Sequence, residues 1–227
     1  MRTKQSVKAG AAVAAAAAIV LVAMFSGSQQ VRADSDSESS LVTRGFQIAP
    51  VSLNLYGKDR SLVGLGSYLV NAIGDCNGCH NAGQTLDGPF KAGGNPYRLI
   101  PGTIFPQPKV IDPKLYLGGG QDFGTVDFNP SGPNDPDIIS RNLTPDKTGL
   151  AEGGHTLAEF MTIIRTGVDM DHAHPNLPAG FDGKLLQVMP WPTFQNMTDH
   201  DLQAIYEYLS AIPCLEGGPG EPAHRCS

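Results

Sequence analysis

The chain has 227 residues, with sixteen Lys and Arg, 22 Asp and Glu and a formal charge of −6, a length that favours one domain with an elaboration over a multidomain enzyme. Gly and Pro supply 45 residues, about a fifth against a usual share of ~12%, so much of the backbone is loop. One long apolar run, no G-X-Y repeat and no sustained heptad exclude a polytopic membrane protein, a collagen and a coiled coil.

The first segment has the layout of a secretory leader. Arg2, Lys4 and Lys8 precede an uncharged stretch over residues 9–25, and Val31-Arg32-Ala33 offers a small-x-small cleavage site before Asp34. The run of 17 residues is at the upper end for a signal peptide and the lower end for a membrane span, so residues 1–33 read as a signal peptide or an N-terminal anchor. Either way the body is exported to the periplasm or another extracytoplasmic space. Without the leader the chain keeps twelve basic and 22 acidic residues, a net charge of −10, which argues against a nucleic-acid partner. Twenty of the first 33 residues are apolar, leaving about 72 of 194 in the remainder, a thin core for a self-sufficient domain.

Residues 34–58 begin with the Ser- and acid-rich DSDSESS and read as a flexible tether. A helix is expected from about Ser61 to Asp75, with Leu62, Leu65, Leu69 and Ile73 on one apolar face. It leads directly into Cys76-Asn77-Gly78-Cys79-His80. Residues 81–140 hold ten Gly and nine Pro interleaved with aromatic and aliphatic residues, the pattern of an ordered irregular insertion with room for a short hairpin. A middle helix opens at Thr156 with Glu159 as capping-box partner, carries Leu157, Phe160, Met161 and Ile164, and stops at Gly167. After Met189-Pro190-Trp191-Pro192 the last helix opens at Thr198 with Asp201 and presents Leu202, Ile205, Tyr206, Leu209 and Ile212 before Pro213. Cys214 and Cys226 follow in the tail, 214–227, where an oxidising compartment makes a disulfide the default.

The Cys-x-x-Cys-His run is the attachment sequence of c-type haem. Two thiols three residues apart at the end of a helix can each add to one of the two vinyl groups on adjacent porphyrin edges, and the following His then lies under the iron. A thioredoxin-like pair would open a helix after a strand, whereas here a helix precedes the motif. A structural zinc site wants four ligands, and Cys214 and Cys226 are not spaced as a second close pair. A plain Cys76–Cys79 disulfide leaves His80 unexplained. Covalent haem c, one per chain, is therefore the expected cofactor, with Cys76 and Cys79 as attachment points and His80 as proximal iron ligand.

The sixth ligand decides between electron transfer and catalysis. Met189 is the best candidate, in a Pro-bounded loop before the last helix. Met161 and Met197 read as packing residues, His155 and His200 as capping or surface residues, and Met170, His172 and His174 as a solvated loop.

The helix leading to CNGCH, the MPWP loop and the terminal MTDHDLQAIYEYLSAIP helix resemble a class I c-type cytochrome. A stretch like NLTPDKTG before a middle helix like TLAEFMTIIRTG is similar to the cytochrome domains in the cytochrome subunits of bacterial membrane-bound alcohol and gluconate dehydrogenases. The resemblance implies a mostly α cytochrome c fold over residues 59–213, three main helices around one covalent haem, with 81–140 as a long insertion. It also implies His80 and Met189 as axial ligands, a close crossing of the first and last helices at Gly66 beside Tyr208, and Trp191, Asn142 and Thr144 near the haem propionates. The expected function is one-electron transfer rather than catalysis, with a redox protein as partner, a donor dehydrogenase or a terminal oxidase. The rival is a haem enzyme or a gas or peroxide sensor with a displaceable sixth ligand; membership as the cytochrome subunit of a periplasmic dehydrogenase is the other alternative.

Overall fold

A computed structural model describes residues 37–81, 111–125, 137–171, 184–216 and 224–227. The expected leader over 1–33 and its apolar run 9–25 lie outside the described residues, as do His172, His174 and much of the expected insertion over 81–140; among the described residues no helix is long and apolar enough to cross a membrane. The chain divides into two units, Met1–Leu41 and Val42–Ser227. The described residues of the first, 37–41, are helical. The core and the candidate site belong to the second.

The architecture is mostly helical, compatible with a cytochrome c fold. Helix α1 covers residues 37–48, in the segment whose composition predicts a tether. Helix α2 (Arg60–Tyr68) is capped by Asp59, whose carboxylate accepts from the Ser61 and Leu62 amides, and continues as a π-helical turn over Leu69–Ile73. Two close approaches hold α2. On one side a Cβ on Gly45 would stand 1.8 Å from the Gly64 carbonyl oxygen, and Ser67 Oγ donates to the Gly45 carbonyl at 2.7 Å. Composition could not show this: residues 42–48 of α1 pack on α2 through backbone contact between two glycines, with Val42 and Phe46 flanking Gly64. Arg60 adds a cation–π contact, 4.5 Å above the Phe46 ring.

On its other side α2 crosses α7 (Asp199–Leu209), where a Cβ on Gly66 would stand 1.9 Å from the Ala204 carbonyl oxygen. Because α2 is contacted on two sides and then widens into the π turn, its buried set differs from the predicted stripe. Val63, Leu65 and Val70 are buried, Leu62 and Leu69 are half-buried, and Ile73 is 62% exposed. The wider turn rotates the residues after Leu69 away from the 3.6-residue register.

Helix α5 (Leu157–Thr166) starts at the Thr156–Glu159 capping box and ends at Gly167, whose φ of 70° suits glycine. The Thr198–Asp201 box starts α7. Phe160, Ile163 and Ile164 of α5 and Leu202, Tyr206, Tyr208 and Leu209 of α7 are buried in the core, with the Phe160 and Tyr206 rings 5.7 Å apart. Short helices α3 (Cys76–Cys79), α4 (Ala151–Gly154) and α6 (Trp191–Phe194) complete the helical set. Strands β1 (Asp122–Thr125) and β2 (Asp137–Ile139) pair antiparallel within residues 81–140, with a shift of register between Asp122 and Thr125.

A buried polar ring joins three distant segments. Asn71 Nδ2 donates to Tyr208 Oη at 3.2 Å, and Tyr116 Oη donates to Asn71 Oδ1 at 2.7 Å. That leaves the Tyr208 hydroxyl, 2.9 Å from Tyr116 Oη, to donate to it and close the ring. Burial first, then the Tyr208 hydroxyl, pushes Tyr116 well above the usual phenol range, so it stays a donor. The disulfide expected in the tail is present, joining Cys214 to Cys226.

Candidate functional site

Asp75, in the left-handed region at φ 45°, turns the chain out of the π turn and into α3. One short helix therefore carries Cys76 and Cys79, with His80 as its C-cap. Cys76 is half-buried and packs against the core, while Cys79 is exposed. Partial burial, then the Asp75 carboxylate, raise the Cys79 thiol above its usual value. This is the opposite of the lowered pKa that activates a redox-catalytic cysteine.

Residues 117–119 and 141–143 build the bed on which the motif lies. Asn77, buried in α3, accepts from the Leu117 amide at 2.9 Å. The His80 carbonyl accepts from the Gly119 amide at 2.9 Å, and the Leu117 carbonyl accepts from the Leu143 amide at 2.9 Å. Leu117 is fully buried yet has φ 57°, a strained conformation for a leucine that the bonds to its amide and carbonyl hold in place. His80 Nδ1 lies 2.8 Å from the Arg141 carbonyl oxygen. A carbonyl only accepts, so Nδ1 carries the proton and Nε2 is the lone-pair nitrogen. Burial lowers the His80 pKa, which keeps the ring neutral and fit for ligation.

These features fit a c-type haem: two cysteines outside any disulfide on one helical turn, followed by an imidazole whose Nδ1 is tied back to the chain and whose Nε2 is a donor to metal. Met189 is half-buried against the core in the loop before α6, and its carbonyl accepts from the Trp191 amide at 2.8 Å. The Trp191 ring covers Gly167, where a Cβ would come within 2.1 Å of it, and its Nε1 donates to the Leu186 carbonyl at 3.2 Å. Met161 and Met197 also pack partly buried against the core, and Met170 is 42% exposed.

Asn142 and Thr144 are buried and make their polar contacts with each other and with the tail. Asn142 Oδ1 accepts from the Thr144 amide and hydroxyl at 2.9 and 2.7 Å. Asn142 Nδ2 donates to the Leu215 carbonyl at 3.1 Å, and the Leu215 amide donates to Thr144 Oγ1 at 3.0 Å. Arg225, held beside the disulfide and buried, donates to the Asn142 and Thr144 carbonyls. The tail thus braces the segment that begins at Arg141.

Sequence reasoning does not find a buried charge cluster centred on the Arg141 side chain. Its guanidinium bonds Asp169, lies 2.8 Å from Asp171 Oδ2 and stands 3.8 Å from Glu152 Oε1. His155, read from sequence as a capping or surface residue, joins this cluster: its Nε2 is 3.6 Å from Asp171 and its Nδ1 is 2.8 Å from the Glu152 carbonyl. Burial raises the Glu152 carboxyl above the usual carboxylate range despite Arg141.

The cytochrome c subunit of the quinone alcohol dehydrogenase of Gluconacetobacter polyoxogenes is 30% identical over 151 residues, 66% of this chain and 22% of that protein. The cytochrome subunit of the fructose dehydrogenase of Gluconobacter japonicus is 27% identical over 151 residues, covering 66% and 21% of the two chains. The cytochrome c subunit of the gluconate 2-dehydrogenase of Pantoea cypripedii is 29% identical over 151 residues, covering 66% and 23%. The chain spans about a fifth of the length of these curated relatives. No family model matches it, and no solved structure matches it significantly. Its helical core and Cys76-x-x-Cys79-His80 turn therefore resemble the cytochrome c subunits of alcohol, fructose and gluconate dehydrogenases.

Proposed function

We propose that this protein is an exported mono-haem c-type cytochrome that carries one electron at a time. Cys76 and Cys79 would hold the haem as thioethers, and His80 and Met189 would ligate its iron. The observation that carries this reading is the fixed imidazole: His80 Nδ1 bonded to the Arg141 carbonyl at 2.8 Å, at the end of a short helix that bears two cysteines outside any disulfide.

The bound haem supplies an iron centre that accepts and returns one electron. The chain keeps that centre unchanged otherwise. Arg141 holds the His80 ring orientation and tautomer, the bonds to Asn77 and the His80 carbonyl stop α3 from shifting, and the Met189 thioether would be the second side-chain ligand to the iron. A thioether also favours the reduced state and raises the potential. The donor is a dehydrogenase, the setting named for the relatives, and the acceptor a second redox protein such as a terminal oxidase. The domain works in the periplasm, released from the leader or held at the membrane by residues 9–25.

The test is spectroscopic. Acid–acetone-extracted, denatured protein retains a haemochrome spectrum, and the native ferric protein shows the methionine-to-iron charge-transfer band. Met189→Ala loses that band while covalent haem remains. A high-spin ferric spectrum in the resting protein overturns the carrier reading in favour of a haem enzyme or sensor, and an unchanged band in Met189→Ala overturns the ligand assignment.

A further inference from the structure

We infer that Glu152 is a proton-accepting site coupled to the electron at the haem, taking up H⁺ as an electron arrives and releasing it as the electron leaves. The inference rests on the haem reading above and adds a second ligand, the proton, to the transfer.

The geometry is a charge imbalance around one guanidinium. Three carboxylates, Glu152, Asp169 and Asp171, face one guanidinium, an excess of negative charge, and neither Arg141 Nη1 nor Glu152 Oε2 has a hydrogen bond of good geometry among the described residues. Asp169 is bonded directly to Nη2, and Asp171 is 2.8 Å from Nη1 and 44% exposed to water. Glu152 has the weakest share: Oε1 is 3.8 Å from Nη1, and Oε2 is buried with no hydrogen-bond partner among the described residues. The whole residue is only 8% exposed. A buried carboxylate oxygen without a donor is costly, and a proton on that oxygen removes the cost.

The remaining groups around Glu152 support the same assignment. His155 presents Nδ1 to the Glu152 carbonyl, and its Nε2 faces Asp171, so it lies between Glu152 and the exposed edge of the cluster. On the other side of α4, Arg225 lies against Gly153 and Asp146 against Gly154. Burial holds Glu152 above the ordinary carboxylate range, with Arg141 and His155 opposing and Asp171 and Asp169 reinforcing. The link to the electron is Arg141 itself, whose side chain faces Glu152 and whose carbonyl accepts from His80 Nδ1. Negative charge added at the haem raises the proton affinity of Glu152; loss of that charge lowers it. Each turnover is balanced by one electron from the donor and one H⁺ from water.

The experiment is a spectroelectrochemical titration of the full haem-loaded protein, after the haemochrome spectrum has verified covalent haem. Absence of that spectrum refutes the haem reading itself and is distinguishable from every outcome below. Lower pH favours reduction if Glu152 binds the proton, so the reduction equilibrium falls at least threefold from about pH 5 to pH 8, roughly 28 mV at 59 mV per tenfold change. Glu152→Gln abolishes that dependence with an unchanged low-spin spectrum, and His155→Gln retains it. A wild-type potential that does not move with pH, a dependence surviving in Glu152→Gln, or one lost in His155→Gln overturns the assignment. Reduced-minus-oxidised infrared difference spectra need no variant: a protonated-carboxyl C=O band gained on reduction and shifted in heavy water is expected, and its absence overturns the inference.

Discussion

Gly66→Ala tests the packing on which the site depends. A Cβ at this position stands 1.9 Å from the Ala204 carbonyl oxygen and 2.7 Å from Tyr208 Cβ, where real Cβ atoms keep at least 3.0 Å. The nearest obstacle is backbone, so the two helices must separate by about 1.1 Å at the crossing. A radial gap of ~0.5–1 Å forfeits a quarter to a half of the dispersion attraction between facing atoms. Val63, Leu65, Leu202, Tyr208 and Leu209 are all buried near this crossing. If each loses about a third of the ~2 kcal/mol that full burial contributes, the loss is about 3–4 kcal/mol. Alanine's helix propensity returns ~1 kcal/mol. A net destabilisation of about 2–3 kcal/mol lowers Tm by roughly 4–12 °C for a unit of this size, measured by thermal unfolding of the haem-loaded protein. Gly57→Ala is the control: it has φ 70° with nothing within 4 Å of its Cβ, so only left-handed strain of about 1–2 kcal/mol applies. A Gly66→Ala protein as stable as wild type, or less affected than Gly57→Ala, would refute the close crossing.

Tyr116→Phe opens the polar ring and leaves Asn71 Oδ1 and the Tyr208 hydroxyl each one partner short, in a region where both tyrosines are at most 1% exposed. The expected cost is about 1–3 kcal/mol in denaturant unfolding; a change below experimental error would show that water replaces the phenol. Breaking the Cys214–Cys226 bond with a double serine variant frees the tail that carries Arg225 and costs about 3 kcal/mol for a loop of this length. Reductant should produce the same loss in wild type and none in the variant.

The legible parts of this protein are those written locally. Cys76, Cys79 and His80 lie within five consecutive positions, so their spacing alone marks the proposed attachment turn. The capping boxes at Thr156–Glu159 and Thr198–Asp201 are four-residue signals, and both start helices where they are expected. The apolar face of α7 follows its 3.6-residue period, with Leu202, Tyr206 and Leu209 buried. The stripe of α2 is only partly readable, because Gly45, Gly66 and the π turn redirect its buried face and no apolar period records a glycine contact.

The chemistry of the site is therefore written in the chain: two thiols and an imidazole at haem-attachment spacing, behind a segment with the layout of an export leader and within an acidic body. What holds that imidazole, and what surrounds it, comes from the fold. The acceptor for His80 is a backbone carbonyl 61 residues away, and a carbonyl has no side chain by which a sequence could announce it. The Arg141–Glu152–Asp169–Asp171 cluster and the Asn71–Tyr116–Tyr208 ring are likewise assembled from distant segments. In a linear reading each member is an ordinary polar residue; burial in a shared low-dielectric space turns those residues into a network with its own charge balance.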